Sequence, residues 1–280
     1  MTVVAPVRER RVPVVRRFVR SPKGTLLIVL ALLVGVAASY LGLSHVLPSL
    51  VAATLTAALV DVAIVRWTRG VWFFPSGAIL SGLIVALVLS PDEPLYVPVV
   101  TAGVAVGSKY LFRTRWSNVF NPAALALIVA YFAFGSGESW WGSLPDLAVP
   151  FVVVLLGAGL FMADRCNKLP MVLVFLASYF GLFTLSAFLG DPSRVAEVYR
   201  SPDVNAALFF AFFMLDDPPT SPVRYADQVL YSIIVAVVSF AAFETLGAEY
   251  FLLAGVLVGN AWESLRRLEE NPRPQAATSG

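Results

Sequence analysis

A single cysteine, Cys166, and a single histidine, His45, are all that this 280-residue chain holds of either type. One Cys excludes a disulfide within the chain and any multi-thiolate metal or iron–sulfur site built from it alone. One His argues against a His-based metal or haem site, and no metal centre is expected. Charge is scarce as well. Only 14% of residues are charged, against about a quarter in soluble domains, while 58% are hydrophobic and the mean hydropathy is +0.79. So little polar surface cannot cover a water-facing globule, and the chain belongs in a bilayer. The alternating segments of a β-barrel are missing from runs such as "TLLIVLALLVGVAAS". A Walker loop, a dinucleotide fingerprint and a nucleophile elbow are missing too. "GSGES" at 135–139 is only faintly like a phosphate loop, and no helix signature follows it. The net charge is +2, and no nucleic-acid partner is expected.

What is present is a series of apolar runs bounded by Pro, Gly or charge. They fall at about 25–45, 48–66, 76–90, 95–112, 121–134, 147–163, 169–189, 202–215, 226–246 and 249–265. Helices satisfy their own backbone in lipid, so these read as ten transmembrane helices. The basic start, "MTVVAPVRERRVPVVRRFVRSPKG", lacks a small-residue cleavage site, and the next run is expected to be a retained first helix. With the N-terminus in the cytoplasm, 18 of the 20 Lys and Arg fall inside, and only Arg194 and Arg200 fall outside. The outer loops carry acids instead: Asp92, Glu93, Glu138, Asp146, Asp191, Glu197 and Glu249. This asymmetry predicts an inner-membrane, multi-pass protein with both termini cytoplasmic. Three parts follow: a basic arm over 1–24, a membrane domain over 25–265 and a polar tail over 266–280.

Sliding the chain by 125 residues lays "SGAILSGLIVALVLSPDEP" over "SPDVNAALFFAFFMLDDPP". Asp92 then meets Asp217 and Pro94 meets Pro219. The shift is five helices, an odd number, so the two halves (about 25–134 and 147–265) would be inverted repeats with a site near their junction. The third, fifth and eighth runs are short, about 14 or 15 residues, or roughly 22 Å as helix against a hydrocarbon core of roughly 30 Å. Short, Pro-bounded segments at matching positions point to a central site.

Candidate chemistry gathers at a few places. In "FFMLDDPPTSP" (212–222) an apolar run stops at Asp216 and Asp217, and Pro218 and Pro219 end the helix. Carboxylates at a helix C-terminus oppose its dipole and call for compensation, with Arg224 and Lys109 as candidates. Solvated acids in a cytoplasmic loop are the plainer reading. In "SNVFNPAALALIVA" (117–130), Asn121 suits a helix cap and Pro122 the first turn, leaving N–H groups for a polar ligand or for the cap alone. Lys109 follows the small-residue stretch "TAGVAVGS"; it either partners a bound group or snorkels to headgroups beside Arg113 and Arg115. Asp61, about one turn before Arg66 and Trp67, is a functional candidate because carboxylates are costly within a span. Glu244, Asn260 and Glu263 are candidate ion ligands or proton carriers, and equally ordinary interhelical contacts. Met162, Met171 and Met214 read as packing. Trp72, Phe73, Phe74, Trp140 and Trp141 flank the spans and read as an interfacial belt.

Three strings carry a resemblance: "SGLIVALVLSPDEPLYVPVVTAGVAVGSKYLF", "NVFNPAALALIVAYF" and "FFAFFMLDDPPTSP". Together they resemble the RnfD/NqrB family, the membrane component shared by Rnf electron-transport complexes and the sodium-pumping NADH:quinone reductase, over about residues 76–263. Stand-alone relatives occur in actinobacterial natural-product clusters, including enediyne clusters. The resemblance implies an all-α, urea-transporter-like fold of two inverted five-helix repeats. It also implies electron passage between flavins coupled to Na+ or H+ movement, in company with redox partner proteins. Lys109, Asn118, Asn121, Pro122, Asp217, Thr220 and Ser221 fall on family motifs, and Asn260 falls near a family asparagine. Asp61, Asp216, Asp217, Glu244 and Asn260 would then mark an ion path. The family carries covalent FMN on the threonine of an "SGAT"-type string after the fifth helix. Here that connection is "FGSGESWWGSLPDLAVP", without threonine. Covalent FMN by that linkage is not expected, and noncovalent FMN or riboflavin stays open. Two other functions stay open as well: a channel or carrier for a small solute without redox chemistry, and an anchor for a redox partner whose basic arm grips anionic lipid.

Overall fold

Proline and glycine set the first helix boundaries. Ser21 caps α1 (Pro22–Leu41): its Oγ accepts from the Gly24 N–H at 3.1 Å, and Pro22 occupies the first helical position, where no N–H is needed. The chain turns at Gly42, whose φ of 91° disfavours any residue with a Cβ, and α2 (Leu43–Arg69) begins at once. The second apolar run, counted from Pro48, starts five residues earlier as a helix, and Pro48 lies inside α2. The turn at Gly42 had already started that helix. The computed structural model describes residues 18–115, 117–145, 149–190, 192, 196, 198–247 and 249–270. Most of the basic arm (1–17), the end of the tail (271–280), and Asp146, Asp191, Arg194 and Glu197 lie outside the described residues.

Eight further helices follow: α3 (Ser76–Val88), α4 (Tyr96–Leu111), α5 (Pro122–Phe134), α6 (Val149–Arg165), α7 (Leu169–Leu189), α8 (Asp203–Phe213), α9 (Tyr225–Leu246) and α10 (Phe251–Glu270). Each sits on one of the ten apolar runs. The protein is an all-α membrane protein. Among the described residues four helices, α1, α2, α7 and α9, are long and apolar enough to cross a bilayer by themselves. Their spans are only 22–33% buried inside the protein. Exposed leucines such as Leu32 and Leu59 therefore form the lipid-facing surface. Helix α10 runs on to Glu270, so Arg266 and Arg267 belong to the last helix and not to a tail.

Successive helices alternate in direction, and side-chain contacts tie one set of ends together. The Arg165 guanidinium reaches the Arg20 carbonyl, Lys109 Nζ donates to the Gly77 carbonyl at 2.8 Å, and Arg267 Nη1 donates to Ser117 Oγ at 2.7 Å. These bonds join the starts of α1, α3 and α5 to the ends of α6, α4 and α10, and together they define a basic face. At the opposite face the Gly137 N–H donates to Glu93 Oε1 at 2.8 Å, and Ser186 Oγ donates to Glu244 Oε1 at 3.1 Å.

The two sets of five helices pack alike. In the first, α1 packs on α2 and α3, α2 on α3 and α4, and α4 on α5. In the second, α6 packs on α7 and α8, α7 on α8 and α9, and α9 on α10. The principal helix contacts between the sets join α1 to α6 and α5 to α10, each helix to its counterpart. Counterparts meeting each other is what a two-fold relation produces. Because α1 starts at the basic face and α6 ends there, the repeats are inverted.

The three short helices are α3 and α5, with 13 residues each, and α8, with 11. Ten residues of α3 and nine of α8 are buried. These counterparts are apolar on every side because protein surrounds them. Close approach of α2 to α3 requires Gly82, where a Cβ would lie 2.7 Å from the Ala53 carbonyl oxygen and 3.0 Å from Thr54 Cα. Gly82→Ala is expected to force the two helices apart at a cost of about 1–3 kcal/mol. This will show as a lower melting temperature in detergent; an unchanged value would mean the helices are not in backbone contact there.

Candidate functional site

Asn121 holds the junction of the two repeats together. Its Oδ1 accepts from the Ala123 and Ala124 N–H groups at 3.0 and 3.1 Å, capping α5. Its Nδ2 donates to the Met214 carbonyl at 2.9 Å, and its backbone N–H donates to Asn260 Oδ1 at 2.7 Å. Asn260, fully buried on α10, spends both amide protons: one goes to Tyr231 Oη at 2.7 Å, the other to the Thr220 carbonyl at 3.2 Å. Thr220 Oγ1 in turn donates to Asp217 Oδ2 at 2.9 Å, and Ser221 Oγ donates to the Asp217 carbonyl at 2.8 Å. One hydrogen-bonded chain thus runs from α5 through α10 to the segment after α8.

That segment, "MLDDPPTSP", exposes carbonyls that no helix or strand can satisfy. Lys168 Nζ donates to the Pro222 carbonyl. Arg267 takes the Pro219 carbonyl at 2.9 Å and the Ser221 carbonyl at 2.8 Å, while its Nε donates to Glu263 Oε1 at 2.6 Å. Lys168 and Arg267 thus take the carbonyls, while Arg224, a candidate partner for the two carboxylates, pairs with Glu270 at 3.0 Å instead. Lys109, Lys23 and Lys168 are the cations that act on Asp217, Lys109 the most strongly. Lys168 is the cation that acts on Asp216.

Above this chain lies a cavity of about 870 Å³. Both repeats contribute walls. Lys23, Asp61, Lys109, Asn118 and Asn121 come from the first, and Asp216 and Asp217 from the second. Leu26, Phe74, Ile84, Met162 and Phe213 supply apolar surface. The fold thus brings Asp61, Lys109, Asn118, Asn121, Asp216 and Asp217 to one space. Thr220, Ser221 and Asn260 stand behind Asp217 and brace it. Glu244 lies apart, at the opposite face, bonded to Ser186. Asp61 Oδ1 accepts from Tyr110 Oη at 2.5 Å. Asn121 spends its Oδ1, its backbone N–H and one of its two Nδ2 protons on ordering the wall, and the second Nδ2 proton is left to donate into the cavity it lines.

Lys23, Lys168, Tyr110, Tyr231 and Arg267 join the site although no motif marks them as site residues in the sequence. By position along the chain, Lys23 and Arg267 group with the basic arm and the polar tail. The Glu263–Arg266–Arg267 spacing, three and four residues on a helix, is the signal that α10 continues.

At the far end of α3 the site is closed. The Ser139 and Trp140 N–H groups both donate to the Val88 carbonyl at 3.0 Å, and Trp141 Nε1 donates to the Ala86 carbonyl at 2.5 Å. Trp140 and Trp141 are buried, 8% and 2% exposed, and so plug the interior instead of joining an interfacial belt. Phe73 and Phe74, also expected in that belt, line the cavity on the basic face. Beside the plug, both carboxylate oxygens of Glu138 are shut off from solvent and have no hydrogen-bond partner of ordinary geometry among the described residues. Burial pushes this carboxyl up to about 8, with Trp140 opposing the rise and Glu249 adding to it.

Two outcomes follow from these contacts. Asn260→Leu strips partners from the Asn121 N–H, the Tyr231 hydroxyl and the Thr220 carbonyl, at about 1–3 kcal/mol for each group left buried and unpaired. Its melting temperature is expected well below that of Ser239→Ala, which removes a hydroxyl that makes no hydrogen bond among the described residues; equal melting of the two variants would contradict the network. Glu138 holds a proton in the folded protein between its ordinary value near 4.5 and about 8, where the unfolded chain has released it. Its contribution to stability is therefore full below that range and declines as pH rises through it. Melting temperature against pH should flatten in Glu138→Gln, with the variant the more stable at the alkaline end.

The model of the NQR2, RnfD, RnfE family matches residues 10–149, half of the chain. The match covers the first repeat, including Asp61, Lys109, Asn118 and Asn121; the "DDPPTSP" segment lies beyond it. No match to the chain is found among curated proteins. With ten α-helices among the described residues and the family model matched across the first repeat, this chain is a membrane protein that belongs to the NQR2, RnfD, RnfE family.

Proposed function

We propose that the protein is a flavin-associated membrane component of an Rnf-like electron-transport system, with Na+ or H+ moving along the seam between its repeats. The observation that carries this reading is the convergence of Asp61, Lys109, Asn118, Asp216 and Asp217 on one cavity at the repeat junction. Its volume of about 870 Å³ falls in the range of small-molecule sites, roughly 300–1,000 Å³.

A noncovalent flavin fits the residues present. The apolar wall of Leu26, Phe74, Ile84 and Phe213 suits a planar aromatic ring. Lys109 spends one ammonium proton on the Gly77 carbonyl and keeps donor capacity for a ligand oxygen. Asp217, braced by Thr220 and Ser221, is placed to accept from hydroxyls of a ribityl chain or to face a cation. A flavin held there would supply electron transfer; the chain's own part is to bind it, orient it and keep water from the far side with the Trp140–Trp141 plug. The segment 135–148 contains no threonine, so any flavin is expected to be released by denaturation alone. The basic face is read as cytoplasmic by the positive-inside rule, which places both termini there. Redox partner proteins would then dock from the same side.

Purification from native membrane with flavin analysis of the eluate tests the reading. A yellow preparation yielding flavin on denaturation supports it. Colourless protein that conducts a solute in liposomes would replace it with a channel or carrier. Asp217→Asn is expected to lower flavin retention or ion flux by about tenfold or more while membrane insertion is unchanged; full activity in that variant would remove Asp217 from the site.

A further inference from the structure

A second, smaller cavity of about 240 Å³ opens beside the first on the basic face. Asp61, Phe73, Lys109 and Asn118 line both spaces. Three cations bound the smaller one: Arg69, the last residue of α2; Lys109, in the last turn of α4; and Arg113, just beyond α4. Arg113 is held by a backbone bridge to Asn118, so its position does not depend on the side chain being paired. Among the described residues the guanidinium groups of Arg69 and Arg113 make no hydrogen bond or ion pair. The one carboxylate in the cleft, Asp61, already accepts from Tyr110. Neighbouring Arg66 differs: it donates to the Gly70 carbonyl and lies 5.5 Å from the centroid of the Trp72 ring.

We propose that the cleft formed by Arg69, Lys109 and Arg113 binds a phosphate group. Two arginines without partners among the described residues and a lysine line one cleft of about 240 Å³, which is room for a phosphate, and arginine forks bind the oxygens of such an anion in pairs. The inference does not rest on the flavin reading. The phosphate belongs either to an anionic lipid headgroup of the adjacent leaflet or to a soluble phosphate monoester entering the larger cavity.

The protein in nanodiscs distinguishes the sources. In phosphatidylcholine discs, phenyl phosphate is titrated and followed by the fluorescence of the neighbouring tryptophans. In discs containing phosphatidic acid, retained lipid is counted by native mass spectrometry. Binding in the first arm assigns the soluble source, and selective retention in the second assigns the lipid. In whichever arm binds, Arg69→Gln/Arg113→Gln is expected to lower affinity about tenfold, and Arg66→Gln to leave it within about twofold. Both substitutions of the double variant lie on exposed side chains, and unchanged elution and melting will confirm its fold. Binding of neither probe by the unmodified protein, or equal binding by the double variant, overturns the proposal, whatever flavin the preparation contains.

Discussion

Two helices too short to cross a bilayer end inside this protein, and every peptide group freed at those ends needs a partner that lipid cannot supply. The organisation of the interior follows from how each end is satisfied. At the end of α8 the carbonyls of Met214, Pro219, Thr220, Ser221 and Pro222 are taken by Asn121, Arg267, Asn260 and Lys168. At the end of α3 the carbonyls of Val88 and Ala86 are taken by the backbone of 139–140 and the Trp141 indole. The same problem is solved by side chains alone in one repeat and by main chain together with an indole in the other.

That difference breaks the symmetry of the repeats. Aligned by the 125-residue shift, Asp92 and Asp217 are counterparts. Asp217 is turned inward and braced by Thr220, whereas Asp92 is exposed and lies 3.4 Å from His45. The space that Asp217 faces is open; the equivalent space near α3 is filled by Trp140 and Trp141. A pseudo-symmetric fold thereby acquires a large cavity on one side of the junction, reached from the basic face, with three carboxylates and two lysines around it. Opposed charges of similar number keep such a cavity polar without leaving a large uncompensated charge in a poorly hydrated space.

The positions of all ten helices, the shortness of the third, fifth and eighth, and the inverted order could be read from the chain. Each rests on a local property: the length of an apolar run, a bounding Pro or Gly, or the side on which Lys and Arg accumulate. The second run, bounded by Pro48 in the sequence, extends as helix back to the Gly42 turn six residues earlier, because a proline bounding an apolar run does not by itself mark where the helix begins. Trp140 and Trp141 misled because a tryptophan beside a span looks the same whether it faces headgroups or folds back over a broken helix.

What the sequence by itself determined is therefore the number, length and direction of the helices and the identity of the polar residues that a membrane makes costly. Only the tertiary structure decided which of those residues share a space. Asp61, Lys109 and Asp217 meet, Glu244 does not, and Arg267 reaches Ser117 across 150 positions of chain. The reason is physical: a helix forms from neighbours along the chain, but a cavity forms where helix ends from two repeats meet. Which ends meet is set by close contacts such as Gly82 against Ala53, which are written in the packing of pairs and not in any single run.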